Sequence, residues 1–549
     1  MRGSINQDSS NAVGRMMEEV RAALRAQDYA RATTLARTAL VSGVTHPILL
    51  MLRANDDQAQ GRYREALDDL NRAVAMAPQD VVARNAMGLC LQRMDMLPEA
   101  VQVFDDAIAI RADFPPALYN RGYTNELMGE LAAARADYDR ALALNPAFPE
   151  PAARLASLAA RRRDWPEARA RAAAALAIDA SLLPALLALA TADMEEGDLE
   201  GARKRIGEVL ALPRLAASDR AIATGMLGDI LDREDRTAEA FAAYGESSAL
   251  QREVFAPRYA APGVQTALGF VQSVTRYFKT ADPARWKSAP PDNIPVAAGH
   301  VFLLGFPRSG TTLLEQALAC HPGVSTTAEK EFLIEGFREF MGTSESLDRL
   351  SRLDEATAVR FRDFYWQRVH RSGIALEDKT IVDKQPLNTV KLPLIAKLFP
   401  NAKILFAVRD PRDVVLSCFR RRFQMNIDMF EFLTLDGAAR YYDAVMRLGE
   451  IGRDTLPLSL LETRHEDLAA DFEPRMRAIC DFIGIVWDDG MRGFAERAAG
   501  GSAATPSAPQ LSRGLNLEGI GQWRRYAPQL APVLPLLAPW VERFGYAGA

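Results

Sequence analysis

The stretch "VFLLGFPRSGTTLLEQAL", Val301–Leu318, decides how the second half of this chain folds. An apolar run enters a loop bounded by Gly305 and Gly310. Leu313, Leu314, Ala317 and Leu318 then leave it as a helical apolar stripe. Strand, glycine-bounded loop and helix in that order aim backbone N–H groups and the positive end of a helix at an anion. Thr311 and Thr312 add hydroxyl donors in the first helical turn. Arg308 adds a planar, permanently charged fork suited to a tetrahedral oxyanion. The glycines are five apart, as in the phosphate loop G-x-x-x-x-G-K-[ST], but Thr311 stands where that loop has its lysine. A kinase or NTPase needs that lysine for its β- and γ-phosphates, so this reading is the weaker alternative.

Working outward, "KTIVDK", "AKILFAVRD" and "LPLSLLETRHED" are further short apolar runs flanked by helical patterns. Runs apolar on both faces that alternate with helices predict a parallel sheet covered on both sides. The fold expected from Val301 onward is P-loop-type α/β, with ligands at the carboxyl ends of the strands. A second cluster lies in "ILFAVRDPRDVVLSCFRRRF". Arg409 ends an apolar strand, and Pro411 suits the first turn of the next helix. Ser417 and Arg421 are four apart and are expected to share a helix face, converging with Arg409 on one phosphate. Arg420 and Arg422 are expected to point elsewhere, to solvent or an acidic substrate, with a solvated face the preferred reading.

At 549 residues the chain is too long for one ordinary core. Apolar residues at 48% and charged residues at 25% describe a globular protein. A net charge of −5 gives no global attraction to nucleic acid or to a membrane, so an anion site must come from local clustering. Cys90, Cys320, Cys418 and Cys480 form no C-x-x-C pair, which fits a reducing compartment. No apolar signal core and no run of about 20 apolar residues occurs. A cytoplasmic protein without a membrane span is the expectation.

The first half is periodic. "QDYARA", "GRYREA", "DMLPEA", "GELAAA", "DWPEA" and "GDLEGA" end at Ala32, Ala66, Ala100, Ala134, Ala168 and Ala202, each step 34. A seventh copy, "DRTAEA", ends at Ala240 after a step of 38. An alanine suits the place where the second helix of a pair crosses the first closely. An aromatic residue or Leu precedes it at Tyr29, Tyr63, Leu97, Leu131, Trp165 and Leu199. Pro78 and Pro146 sit where a helix must stop. A period of 34 is the tetratricopeptide length, one helix-turn-helix per repeat, and the array resembles that family. Such repeats stack into a superhelix whose groove binds a peptide, a protein or a second copy of the chain. The boundaries read as a tetratricopeptide array of about seven repeats over 15–252, a helix and Pro-rich linker over 253–297, and an α/β domain over 298–549.

The α/β half resembles sulfotransferases that use 3′-phosphoadenosine 5′-phosphosulfate (PAPS). "FPRSGTTLLEQALACHP" is similar to their 5′-phosphosulfate loop, and "AVRDPRDVVLSCF" to their 3′-phosphate motif. "VDKQPLNTVKLPLIAKLFPNAKIL" resembles the D-K-x-P-x-N stretch of the branch related to tyrosylprotein sulfotransferases. "HEDLAADFEPRMRAICDFIGIVWD" and "GIGQWRRY" resemble two later segments, in the family's order. Fusion of tetratricopeptide arrays to this domain is a bacterial architecture.

The resemblance implies that Arg308, Ser309, Gly310, Thr311 and Thr312 hold the phosphosulfate, and that Arg409, Ser417 and Arg421 hold the 3′-phosphate. It implies PAPS as cosubstrate and no metal. Glu329 is the implied general base, with Glu331 and Glu335 as neighbours that could be confused with it. Lys384 matches a lysine near the transferring sulfonate, and Asp383 reads as a structural partner. His465 stands where Tyr is usual at a cofactor contact, and Gly519 where Ser is usual. Arg524 or Arg525 is implied to close over the nucleotide. The implied activity is sulfonate transfer to an acceptor hydroxyl of a protein tyrosine, a sugar or a small molecule. The repeats would then recruit an acceptor or partner, or mediate homodimerisation. The contrasting reading is a tetratricopeptide scaffold carrying a degenerate, non-catalytic nucleotide domain.

Overall fold

The computed structural model describes residues 2–287, 289–290, 296–499 and 519–547. Residues 288 and 291–295 of the Pro-rich connection lie outside the described residues. The chain forms two compact units, Met1–Arg205 and Ile206–Ala549.

The first unit is a stack of helix pairs. Second helices begin at Tyr29, Tyr63, Leu97, Leu131 and Trp165, and one more begins at Leu199. The marked alanines, Ala32, Ala66, Ala100, Ala134 and Ala168, are all at 0% exposure, which is why only a methyl fits there. The period also reaches the polar contacts. Arg53 forks onto Asp69 at 2.6 and 2.7 Å, and two periods later Arg121 forks onto Asp137 at 2.9 and 2.5 Å. Helices stop at Met76 and Leu144, just ahead of Pro78 and Pro146.

The second unit opens with a helical hairpin, Ala217–Arg233 and Thr237–Tyr259, whose Ala240 belongs to the last repeat copy. Next comes the helix Ala267–Phe278. A five-stranded sheet follows: β1 (Gly299–Gly305), β2 (Val324–Thr326), β3 (Thr380–Lys384), β4 (Lys403–Val408) and β5 (Ser459–Arg464). All neighbours pair in parallel, in the order β2-β3-β1-β4-β5. β2 has only three residues, too short for its period to show in the sequence.

Alternation along the strands feeds two cores. Phe302 and Leu304 of β1 join Ile404, Phe406 and Val408 of β4 on one face. Val301, Leu303, Leu405 and Ala407 pack on the other against Leu313, Leu314 and Leu318. This placement puts Gly305, Lys384, Val408 and Arg464 at the carboxyl ends of four adjacent strands. The loops that leave them converge along one edge, where ligands of open α/β sheets bind. Among the described residues no helix is long and apolar enough to cross a membrane. The four cysteines are all free thiols.

Candidate functional site

The loop after β1 turns tightly. Arg308 has φ +73° and Gly310 has φ +91°, both in the left-handed region. Gly310 is needed for space as well, since a Cβ there would come 2.5 Å from His465 Nδ1. Gly310 is the N-cap of the helix Thr311–Ala319 and has no side chain with which to cap its first-turn N–H groups. Ser309, Thr311 and Thr312 are buried around that turn.

The second motif meets the loop directly. Arg308 Nε donates to Ser417 Oγ at 2.9 Å, and Arg409 Nη1 donates to the Arg308 carbonyl at 3.1 Å. Arg409 Nη2 donates to the Gly519 carbonyl. Pro411 opens the helix Pro411–Arg420, capped by Asp410, whose carboxylate accepts from the Arg412 N–H at 2.9 Å. Asp413 on the same helix accepts from the N–H groups of Gly521 and Trp523 at 2.6 and 2.8 Å, and the Arg412 guanidinium lies 3.8 Å over the Trp523 ring. The C-terminal segment from Gly519 is therefore fastened beside the loop.

Cations are concentrated here. Burial, then the like charges of Arg421 and Arg409, push the Arg308 guanidinium down to about 9. Burial also lowers Arg421. Burial, then Arg409 and Arg308, push His465 down to about 3, so its ring is neutral. Arg409 Nε and His465 Nδ1 are buried polar atoms with no hydrogen-bond partner among the described residues. Buried polar atoms left unpaired are costly, and a buried guanidinium beside like charges is stabilised by an anion.

A charged triad lies beside this cluster. Lys384, at 0% exposure on the end of β3, places Nζ 3.0 Å from Glu315 Oε2 and 2.5 Å from Glu329 Oε1. Glu315 is 1% exposed, and burial raises its carboxyl. Its Oε1 accepts from the Ala328 N–H at 3.0 Å. Ala328 and Glu329 both have positive φ, 51° and 63°, and the Glu329 N–H donates to the Lys384 carbonyl at 3.1 Å. Glu329 keeps its side chain 37% exposed. Glu331 is engaged by Lys391, and Glu335 by Arg368. Asp383 is fully buried; it accepts from Tyr365 Oη at 2.9 Å and lies 3.3 Å from Thr327 Oγ1, while burial pushes it up to about 7.

Two expectations fail. Arg421 does not share a helix face with Ser417, because the helix ends at Arg420 and Arg421 is extended, φ −90° and ψ 140°. Arg420 and Arg422 do not face solvent. Arg420 pairs with Asp232 and Arg422 with Asp229 at 2.7 Å, both on the helix Ala217–Arg233. Those partners lie almost two hundred residues upstream, so nothing local in "RRR" announces them. Of the two C-terminal arginines, Arg525 is bound to Asp232 and Asp235, each at 2.8 Å. The Arg524 guanidinium lies 5.2 Å from the Trp523 ring. Sequence reading passed over Glu315, Asp413 and Asp232. The one available signal was a carboxylate inside the apolar stripe of "TTLLEQALA".

Two regions of the chain are similar to known proteins. The Sulfotransferase family model matches residues 300–489. A Tetratricopeptide repeat model matches residues 115–148. A protein of Aquifex aeolicus is 28% identical over 249 residues, 43% of this chain and 32% of that one, so the chain spans about a third of that relative. Protein-tyrosine sulfotransferase 2 of Gallus gallus is 28% identical over 261 residues, 45% of this chain and 69% of its own length. The sulfotransferase domain of the Synechococcus PCC 7002 olefin synthase is 22% identical and covers 43% of this chain and 91% of its own, with a TM-score of 0.31.

Proposed function

We propose that this protein transfers the sulfonate of PAPS to an acceptor hydroxyl. The observation that carries the reading is the meeting of Arg308, Ser417 and Arg409 at a glycine-bounded loop that opens directly into a helix. Arg409 Nε and His465 Nδ1 remain as buried groups for phosphate oxygens to satisfy. Arg308, Ser309, Gly310, Thr311 and Thr312 would hold the 5′-phosphosulfate. Arg409, Ser417 and Arg421 would hold the 3′-phosphate, with Arg524 on the nucleotide side. When bound, this cosubstrate supplies the sulfonate and the leaving phosphate oxygen.

The residues then divide the work. Glu329, partly open to solvent, accepts the proton of the incoming hydroxyl. Lys384 has three N–H donors; two go to Glu315 and Glu329, leaving one for charge developing on oxygen. Fixed loop amides and Arg308 stabilise the transferring group without rearrangement. The name of the Gallus gallus relative makes a protein tyrosine the first acceptor to assay.

The test is transfer of radiolabelled sulfonate from PAPS to tyrosine peptides, sugars and phenols by the purified full-length protein. Label should reach at least one acceptor class. Glu329→Gln should cut the rate by about 10²–10⁴-fold while calorimetry shows unchanged affinity for 3′-phosphoadenosine 5′-phosphate. Absence of both nucleotide binding and transfer in the unsubstituted protein would reject the reading.

A further inference from the structure

The helical hairpin of residues 217–259 carries the last copy of the repeat signature, yet it is built into the second unit. Its first helix presents two aspartates to arginines that neighbour the site residues Arg421 and Arg524. Asp229 accepts from Arg422 Nη2 at 2.7 Å and from Tyr244 Oη at 3.1 Å. Asp232, 13% exposed, accepts from Arg420, from Arg525 Nη1 at 2.8 Å and from Tyr526 Oη at 2.6 Å. Its backbone carbonyl accepts a further bond from Arg525 Nη2 at 2.8 Å. The Arg420 guanidinium sits between the Tyr244 and Tyr526 rings, 5.3 and 5.2 Å from their centres. Arg422 lies so close to the helix that a Cβ on Gly225 would meet its Nη1 at 2.7 Å.

These contacts bracket Arg421. The residues on either side of it are anchored to the hairpin, and Arg421 between them is extended. Arg421 is also the foremost like charge acting on Arg308 across the loop. Asp232 simultaneously ties down Arg525 and Tyr526, the end of the turn that begins at Gly519 beside Arg409. One carboxylate thus fixes both segments that approach the loop from the side assigned to the 3′-phosphate.

We infer that Asp232 is a positioning residue for recognition of a nucleotide 3′-phosphate, and that the last repeat hairpin is a working part of the nucleotide site. The inference rests on the PAPS reading above. Removing the anchor frees Arg421 to adopt other rotamers, and the ordering entropy is then lost from binding. The 5′-phosphosulfate loop is fastened by other contacts, Arg308 to Ser417 and Cys418 to the Pro307 carbonyl.

The test uses full-length protein and calorimetry with two probes, 3′-phosphoadenosine 5′-phosphate and adenosine 5′-phosphate, which lacks the 3′-phosphate. Asp232→Asn should weaken the first by about tenfold, the effect of roughly one charge-assisted contact. It should leave the second within about twofold, so the ratio of the two affinities collapses. Gly225→Ala displaces Arg422, the anchor on the other side of Arg421, without removing a charge and should lower the same ratio; it tests the hairpin's part in the site if Asp232→Asn does not fold. A merely structural role would lower the melting temperature or weaken both probes equally, and an unchanged ratio in a folded variant overturns the inference. Failure of the unsubstituted protein to bind 3′-phosphoadenosine 5′-phosphate would instead fault the PAPS reading itself.

Discussion

Glu315 shares a single ammonium, that of Lys384, with a second carboxylate, Glu329, and does so almost wholly out of water. Such an arrangement survives only where every charged group has a partner. Glu315 meets the condition with both oxygens, one on Lys384 and one on the Ala328 N–H, the residue that opens the left-handed turn into Glu329. It therefore joins three elements: the loop helix, the end of β3 and the segment carrying the proposed base. Glu315→Ala leaves that buried ammonium with one partner and should destabilise the protein by about 3–5 kcal/mol, read from denaturant unfolding. Glu315→Gln keeps an oxygen for Ala328 and should cost less. In the transfer assay it should lower turnover by about tenfold through a displaced Lys384 and Glu329, with affinity for 3′-phosphoadenosine 5′-phosphate unchanged. Equal stability of Glu315→Ala and the unsubstituted protein would show that the triad is not held as described.

At the scale of elements, the β1–loop–helix unit is set by one close approach. Gly310 combines a positive φ with contact against the His465 ring, and any side chain meets both obstacles. Gly310→Ala should weaken 3′-phosphoadenosine 5′-phosphate by more than about tenfold, the left-handed strain alone being about 1–2 kcal/mol. His465→Ala in the same chain should restore part of the lost stability, because it removes the steric clash, but not the affinity, because it also removes a group proposed to meet the phosphate. Equal affinity in the single variant would sink the account. This loop was legible in the sequence because glycine spacing and an apolar helix stripe are local signals. The repeats were legible for a related reason: one crossing geometry recurs, so one alanine recurs with it. The end of the helix after Ser417 was not legible. Arg420 and Arg422 are drawn to aspartates on a distant helix, and no local propensity encodes that pairing. Glu315 was masked by its setting, since a glutamate in an apolar stripe reads as the stripe's polar edge until β3 supplies its lysine.

At the scale of the molecule, the repeat signature and the compact units do not end at the same residue. Ala202 and Ala240 both continue the signature, yet the hairpin that buries Ala240 joins the unit containing the sheet. A repeat buries its apolar face only against neighbours, so a hairpin at the end of an array must find another surface or be capped. Here Tyr244 and Leu231 pack with Phe419 of the second phosphate motif, giving the hairpin an apolar seat to accompany its aspartates. Substitutions in the two kinds of repeat should therefore separate. Ala134, at 0% exposure, packs with Tyr138, Leu155 and Leu158 inside the first unit. Ala134→Leu overfills that site and should cost about 1–3 kcal/mol, detected as faster amide exchange confined to the neighbouring repeats. It should leave affinity for 3′-phosphoadenosine 5′-phosphate within about twofold, as expected for sites with separate cores. Asp232→Asn should do the reverse, with a large loss of affinity and little change in exchange among residues 29–176. If Ala134→Leu weakened the nucleotide as much as Asp232→Asn, the hairpin would hold no special place, and the array as a whole would govern the site.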